Sequence, residues 1–265
     1  MAIVNVTPDS FSDGRRHLSV GSVVAQVEKH IEDGADIIDI GGESTRPGSK
    51  RISEAEEISR ILPVLEAITA KYDIPISVDT TRASVASRAI EAGAEIINDI
   101  SGLRWEPEIA GVVQQTGAGL VIMHSRGSFE TMHELPPSDD IFEDIAASFD
   151  ASVASARKYG VDDAQVVLDI GLGFGKTFEQ NLALVANLDN IVGGFPLFPI
   201  LVGASRKSFI GRLLNDAPVE DRIGGSLAIA LAAIKGGAHI LRVHDVKETV
   251  AAFLVSEAVD SYKRT

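Results

Sequence analysis

The sequence has no cysteine, which excludes a disulfide scaffold, a thiolate zinc site and a cysteine nucleophile. Positive charge is scarce: 24 Lys and Arg against 38 Asp and Glu leave a formal net charge of −14. Such a chain has no basic stripe to lay against nucleic acid or an anionic membrane, so neither is expected as a partner. An anionic small molecule stays possible, because a few local arginines outvote a distant acidic surface. Long hydrophobic runs are missing too. The most apolar stretches, near 195–204 and 227–234, fall well short of the roughly 20 residues that a bilayer span needs. The first residues lack a basic n-region, so no signal peptide is read and a cytoplasmic location is expected. His17, His30, His124, His133, His239 and His244 show no metal-ligand spacing. No proline- or serine-rich linker divides the chain, and 45% hydrophobic with 23% charged residues is ordinary globular composition.

What is present is alternation. Short runs rich in Val and Ile fall at 2–6, 36–40, 76–79, 95–100, 120–123, 166–169, 200–202 and 239–243. Segments with helical spacing separate them. One spans 20–33, with Val24, Val27 and Ile31 on one face and Gly34 as its stop. Another opens at Ser53 with Glu56 three residues later, a capping-box signature, and contains Pro63, which predicts a kink or a break. Others fall at 83–92, 141–159, 178–190, 225–235 and 246–263, three of them closed by Gly93, Gly160 and Gly236. The strand runs are almost continuously apolar, which marks strands buried on both faces of a parallel sheet. Eight strand–helix units in 265 residues average about 33 residues each, the size of a βαβ repeat. Eight parallel strands can close with no edge left over. The expectation is an α/β fold, a single (β/α)8 TIM barrel occupying 1–265 as one domain, with an open doubly wound sheet as runner-up.

A barrel of this kind carries its site at the C-terminal mouth, where strand ends and the following loops meet. In strand order the sequence delivers Asn5, Asp39, Asp79, Asn98 with Asp99, His124, Asp169, Ser205-Arg-Lys-Ser208, and Arg242 with His244. One such residue is ordinarily a helix cap or a satisfied turn. Eight strands doing so together point to a ligand. Arg206, Lys207, Arg242 and His244 follow the last two strands, where barrels often place a phosphate site. Asp79, Asn98 and Asp169 suit the paired N–H donors of a flat heterocycle; the bland alternative is a buried network of Asp79 and Asp169 with Lys207 and Arg206. The loops 7–18 and 41–53 exceed the usual length of about 2–6 residues and are candidate lids. Gly171-Leu-Gly-Phe-Gly-Lys-Thr177 ends like a phosphate-binding loop, but Ile170 stands where that motif needs its first glycine. Its glycines are read as letting backbone approach a ligand.

These residues, in this order, resemble the dihydropteroate synthases, folate-pathway members of the pterin-binding barrel superfamily. The matching stretches are Asn5-Val-Thr-Pro-Asp-Ser-Phe-Ser-Asp-Gly14, Asp39-Ile-Gly-Gly-Glu-Ser-Thr-Arg-Pro-Gly48, Ser77-Val-Asp-Thr80 and Ile97-Asn-Asp-Ile-Ser-Gly102. Val121-Ile-Met-His124, Asp169 with Gly173-Phe-Gly-Lys-Thr177, Ser205-Arg-Lys-Ser208 and Arg242-Val-His-Asp245 complete the set. The resemblance implies condensation of 6-hydroxymethyl-7,8-dihydropterin pyrophosphate with p-aminobenzoate, releasing pyrophosphate and 7,8-dihydropteroate. It implies that Asp79, Asn98, Asp169 and Lys207 hold the pterin, with Met123, Gly173 and Phe174 lining its pocket. Asn5 would help to bind magnesium, and Arg242 and His244 the pyrophosphate. Phe11, Thr45, Arg46 and Pro47 would close over p-aminobenzoate, whose carboxylate would meet Ser208. It further implies a homodimer and a sulfonamide target. Three features depart from the family's pattern: the sequence starts inside the first strand, Ile170 replaces a usual proline, and Arg15-Arg16 follow Gly14. The nearest alternatives are a corrinoid-linked methyltransferase of the same superfamily and a barrel that binds pterin without turnover.

Overall fold

The computed structural model describes residues 1–6 and 20–262. Strands and helices alternate through it: β1 (Ala2–Asn5), α1 (Val20–Glu32), β2 (Ile38–Gly41), α2 (Glu54–Thr69), β3 (Ile76–Asp79), α3 (Ala83–Glu91) and β4 (Ile96–Asp99). There follow α4 (Ile109–Thr116), β5 (Gly119–Met123), α5 (Ile141–Lys158), β6 (Val166–Asp169), α6 (Phe178–Ala186), α7 (Leu188–Gly194) and β7 (Ile200–Val202). The last elements are α8 (Ser208–Leu213), α9 (Ile223–Lys235), β8 (Ile240–Leu241) and α10 (Val246–Asp260).

The eight strands pair in parallel, in sequence order, as one curled sheet. Beyond its ends, Ile3 N–H donates to Val243 O at 2.9 Å and Val243 N–H to Met1 O at 3.0 Å. One large apolar cluster fills the space between sheet and helices, with Ile38, Ile40, Ile97, Leu120, Ile122 and Leu168 fully buried on that face. No helix among the described residues is long and apolar enough to cross a membrane.

Three details depart from the sequence expectation. Pro63 neither breaks nor ends α2, which runs on to Thr69. Pro63 and Ser59, whose carbonyl loses its i+4 donor, both face solvent, where water can satisfy that carbonyl. The expected helix 178–190 divides at Asn187, which leaves helical geometry at φ −124°, ψ 34°. Helix α4, eight residues long, is too short to show its period in the sequence.

Candidate active site

Period-two alternation along the strands makes one end of the sheet polar. On the face away from the helices, Ile37, Ile96, Val121, Val167 and Ile240 form an apolar plug with Met1 and Leu201. Two residues further along the same strands, that face presents Asp39, Asn98, Met123, Asp169 and Arg242. Register extends the row, since Asn5 pairs with Gly41, Gly41 with Asp79, and Asp79 with Asn98. Met123 pairs with Asp169 and packs with Ile100, Phe129 and Met132, against which Trp105 and Phe174 lean.

Arg242 is the hub of this row. Its Nε lies 2.6 Å from Asp39 Oδ2, and its Nη2 lies 2.5 Å from the same oxygen and 2.9 Å from Asp79 Oδ2. Burial opposes the guanidinium's charge, but Asp39 and Asp79 outweigh it and hold its pKa above the ordinary value. Asp79 responds in the opposite sense. Burial lifts its carboxyl to about 7; Arg242 pulls it down, while Asp39, Glu57 and Asp99 push it up. Asn98 Nδ2 donates to both Asp39 oxygens at 3.4 Å, so the amide's other end, Oδ1, faces away from the carboxylate. That Oδ1 is buried and has no hydrogen-bond partner among the described residues. An orphaned buried acceptor costs about 1–3 kcal/mol, and an N–H from a ligand would recover it.

The opposite wall is built by two tight turns. Arg206 adopts φ +60°, unusual for a residue with a side chain. Its N–H donates to Ser226 Oγ at 3.0 Å, and Arg222 donates to its carbonyl at 3.0 Å. The turn sends Arg206 outward onto Asp245, which it meets through Nε and Nη2. It sends Lys207 inward, where Nζ donates to Leu172 O and sits 4.7 Å from the Phe174 ring centroid. Burial lowers Lys207 to about 8, against the attraction of Asp169. Burial raises Asp169, opposed by Lys207 and by Gly171 N–H, which donates to its Oδ1 at 2.8 Å.

The glycines of the loop after β6 are sterically required. Gly171 has φ +62°, and a Cβ there would lie 2.0 Å from His124 O; at Gly173, φ +80°, it would lie 2.9 Å from Lys207 Cδ. Lys176 reaches back under this loop, bonding Gly171 O at 2.8 Å, Phe174 O at 3.3 Å and His124 Nδ1 at 2.8 Å. Its ammonium is therefore engaged by its own loop, and burial, reinforced by the charge of Lys207, lowers its pKa to about 7.

His244 Nδ1 lies 3.1 Å from Ser205 Oγ. Burial, then the charges of Arg206 and Arg242, lower its pKa to about 3, so the imidazole is neutral. The charge of Arg46 adds to that lowering, which brings the loop after β2 within electrostatic reach of His244. The base of that loop is stapled. Glu43 Oε1 accepts from Ile52 N–H at 2.8 Å, and Arg82 donates to Ile52 O at 2.6 Å while bridging Glu43 and the buried Glu57.

The structure thus brings Asn5, Asp79, Asn98, Met123, Asp169, Gly173, Phe174, Lys207, Arg242 and His244 to one end of the sheet. Thr45 is half-buried, Arg46 and Pro47 are exposed in the loop, and Ser208 is exposed at the start of α8. Phe11 lies in 7–19, outside the described residues. Three other strand-end residues are used elsewhere. Arg206 is bound to Asp245, Asp99 accepts from Ser101 and Leu103 N–H at 2.7 Å within its own turn, and His124 is fully buried against Lys176. Sequence reasoning missed Asp39 as the partner of Arg242. The available signal was its place two residues after Ile37, on the same face as Asn98 and Asp169.

Buried carboxylates, an amide, a lysine and an arginine at the strand ends of a parallel α/β sheet define an enzyme-like site for a small polar heterocycle, and residues 1–244 match the family of pterin binding enzymes. The chain is 46% identical to a dihydropteroate synthase of Synechocystis sp., over 98% of this chain and 89% of the relative. Its fold is similar to a Yersinia pestis dihydropteroate synthase solved with a sulfonamide drug (TM-score 0.91, 42% identity, 99% and 93% of the two chains). It is also similar to a Xanthomonas albilineans dihydropteroate synthase in complex with 7,8-dihydropteroate (TM-score 0.88, 37% identity, 99% and 93%). The chain belongs to the dihydropteroate synthase family.

Proposed function

We propose that this protein condenses 6-hydroxymethyl-7,8-dihydropterin pyrophosphate with p-aminobenzoate to give 7,8-dihydropteroate and pyrophosphate. The observation that carries the assignment of its residues is Asn98 Oδ1, unpartnered among the described residues and buried at the same strand ends as the two acceptor carboxylates Asp79 and Asp169. Three acceptors of this kind call for a ligand rich in N–H donors, and a pterin presents an amino group beside ring nitrogens. Lys207 supplies the complementary donor to a pterin oxygen or ring nitrogen, and Phe174 and Met123 give the flat ring its apolar walls.

The chemistry follows from the same charges. The C–O bond to pyrophosphate breaks with its electron pair leaving on oxygen, and the methylene cation is delocalised into the pterin. Asp79 and Asp169 stabilise that cation electrostatically at short range in a low-dielectric site. Arg242 retains Nη1 free of a carboxylate partner among the described residues, and it offers that group to the departing pyrophosphate. Neutral His244 donates an N–H to the same oxygens. The arylamine lone pair then forms the C–N bond and the nitrogen sheds its proton, so no side-chain nucleophile is required.

Asn5 supplies a neutral oxygen, and no cluster of three or more His, Asp or Glu among the described residues is arranged for a metal. A lone neutral oxygen suits Mg²⁺ held chiefly by the substrate's phosphate oxygens, since the ion keeps several waters in its shell. Bound there, the ion would neutralise charge developing on the pyrophosphate. Thr45, Arg46, Pro47, Phe11 and Ser208 are assigned to p-aminobenzoate, and sulfonamides are expected to compete there. Closure of the sheet into a complete (β/α)8 barrel, one domain over 1–265, belongs to this reading and is supported by the hydrogen bonds joining Val243 to Met1 and Ile3. A homodimer, with a cytoplasmic location, is the expected assembly; Leu254, Val255, Val259 and Tyr262, 58–88% exposed at the end of α10, supply apolar surface for it.

The test is incubation with the pterin pyrophosphate, p-aminobenzoate and Mg²⁺. Dihydropteroate and pyrophosphate in equal amounts are expected. Pterin binding without product would leave a binding barrel and overturn the synthase reading.

A further inference from the structure

Arg82, Glu43 and Ile52 fix the neck of the loop after β2, but they leave 44–50 without support of their own. Within that segment Ser44 Oγ bonds Ser49 Oγ at 2.8 Å and Ser49 N–H donates to Arg46 O at 3.0 Å, both internal contacts. Among the described residues it makes one hydrogen bond to another part of the chain, from His133 Nε2–H to Thr45 O at 2.9 Å. His133 stands on a firm base. Its neighbour Met132 is 1% exposed in the cluster with Phe129 and Met123, and Met132 N–H donates to Ser128 O at 2.9 Å. Its ring stacks on Phe174, with centroids 5.7 Å apart and planes 28° apart. The Lys207 ammonium also lies against the Phe174 ring.

We propose that His133 is a positioning residue that latches the loop carrying Thr45, Arg46 and Pro47 to the wall of the heterocycle pocket. The stack on Phe174 fixes the ring's orientation, and Nε2 then fixes the Thr45 carbonyl. Arg46 and Pro47 are held over the mouth before the second substrate arrives, so less loop ordering is charged against its binding. The role of that loop in p-aminobenzoate binding rests on the function proposed above; the latch itself is a property of the free protein.

Two variants of the full chain separate the contributions. His133→Phe keeps a ring against Phe174 but has no donor, and His133→Gln keeps a donor without the ring. Losing one neutral hydrogen bond predicts a rise of about three- to tenfold in the KM for p-aminobenzoate in His133→Phe. The KM for the pterin substrate should stay within about twofold of wild type, and His133→Gln should recover most of the loss. Hydrogen–deuterium exchange of 44–50 in the free protein reads the latch without turnover. It should speed up in His133→Phe, return toward wild type in His133→Gln and be unchanged at 76–79 in both. Unchanged exchange at 44–50 in His133→Phe overturns the proposal, as does an equal rise in both KM values. A wild-type protein that makes no dihydropteroate overturns the function instead, and the exchange result then decides the latch alone.

Discussion

Replacing Arg242 with methionine tests the charge balance of the site. The substitution keeps an apolar stem of similar reach but removes the cation shared by Asp39, which is fully buried, and Asp79, whose side chain is 16% exposed. Breaking a buried pair by deleting one partner costs about 3–5 kcal/mol, because the remaining charge is left uncompensated. The lower end applies here, since the Arg242 side chain is 21% exposed and water can reach the vacated space. A loss of about 3 kcal/mol corresponds to a fall in Tm of about 6–12 °C for a chain of this size. The loss must also depend on pH. The folded-state pKa of Asp79, about 7, lies above its unfolded value. Its stabilising contribution is therefore complete at low pH and is lost as pH rises through 7. Without Arg242 that pKa climbs further, so the penalty for ionising the carboxylates grows at high pH. Thermal melts at pH 5.5 and 8.5 should show the wider gap between variant and wild type at pH 8.5. Adding Asp39→Asn to the variant should recover about 1–2 kcal/mol by removing the charge left behind. A gap that is equal at both pH values, or a Tm within 2 °C of wild type, would refute the reasoning.

Three further outcomes follow from the same geometry. If ionised Asp79 accepts the pterin's donors, pterin affinity measured by calorimetry should rise about eightfold from pH 6 to 7.5, as its ionised fraction grows from about a tenth to about three quarters; in Asp79→Asn, binding should be at least tenfold weaker and flat over that range. Gly171→Ala forces a Cβ against the His124 carbonyl at a left-handed φ, and should lower Tm by more than about 8 °C. Arg82→Leu strands Glu57, which is 1% exposed, and should cost about 3 kcal/mol in denaturant melts, part of which Glu57→Gln restores.

The strands were legible because each is a short, largely apolar run; β3, β6 and β7 lie where the pattern puts them. The row Asp79, Asn98, Asp169 was legible for the same reason, since strand ends share one edge of a parallel sheet. Pairings across that edge were not. Arg242 lies 203 positions from Asp39 and 163 from Asp79, and no local spacing encodes such contacts. Lys176 shows why the phosphate-loop reading was rightly set aside. Its stretch ends like a phosphate-binding loop but lacks the first glycine at Ile170, and left-handed Gly171, Gly173 and Gly175 fold the loop so that the ammonium turns back onto its own carbonyls. His133 gives no signal in the sequence, because its partners Thr45 and Phe174 come from loops that meet only in the fold.

The central claim is that these strand-end groups make dihydropteroate. The most direct measurement follows p-aminobenzoate consumption, dihydropteroate and pyrophosphate together in wild type and Asp169→Asn with Mg²⁺ present. Wild type should turn over the three in a 1:1:1 ratio, and the variant should lose product formation while still folding cooperatively. Pyrophosphate released without p-aminobenzoate consumed, or full activity in Asp169→Asn, would contradict the account.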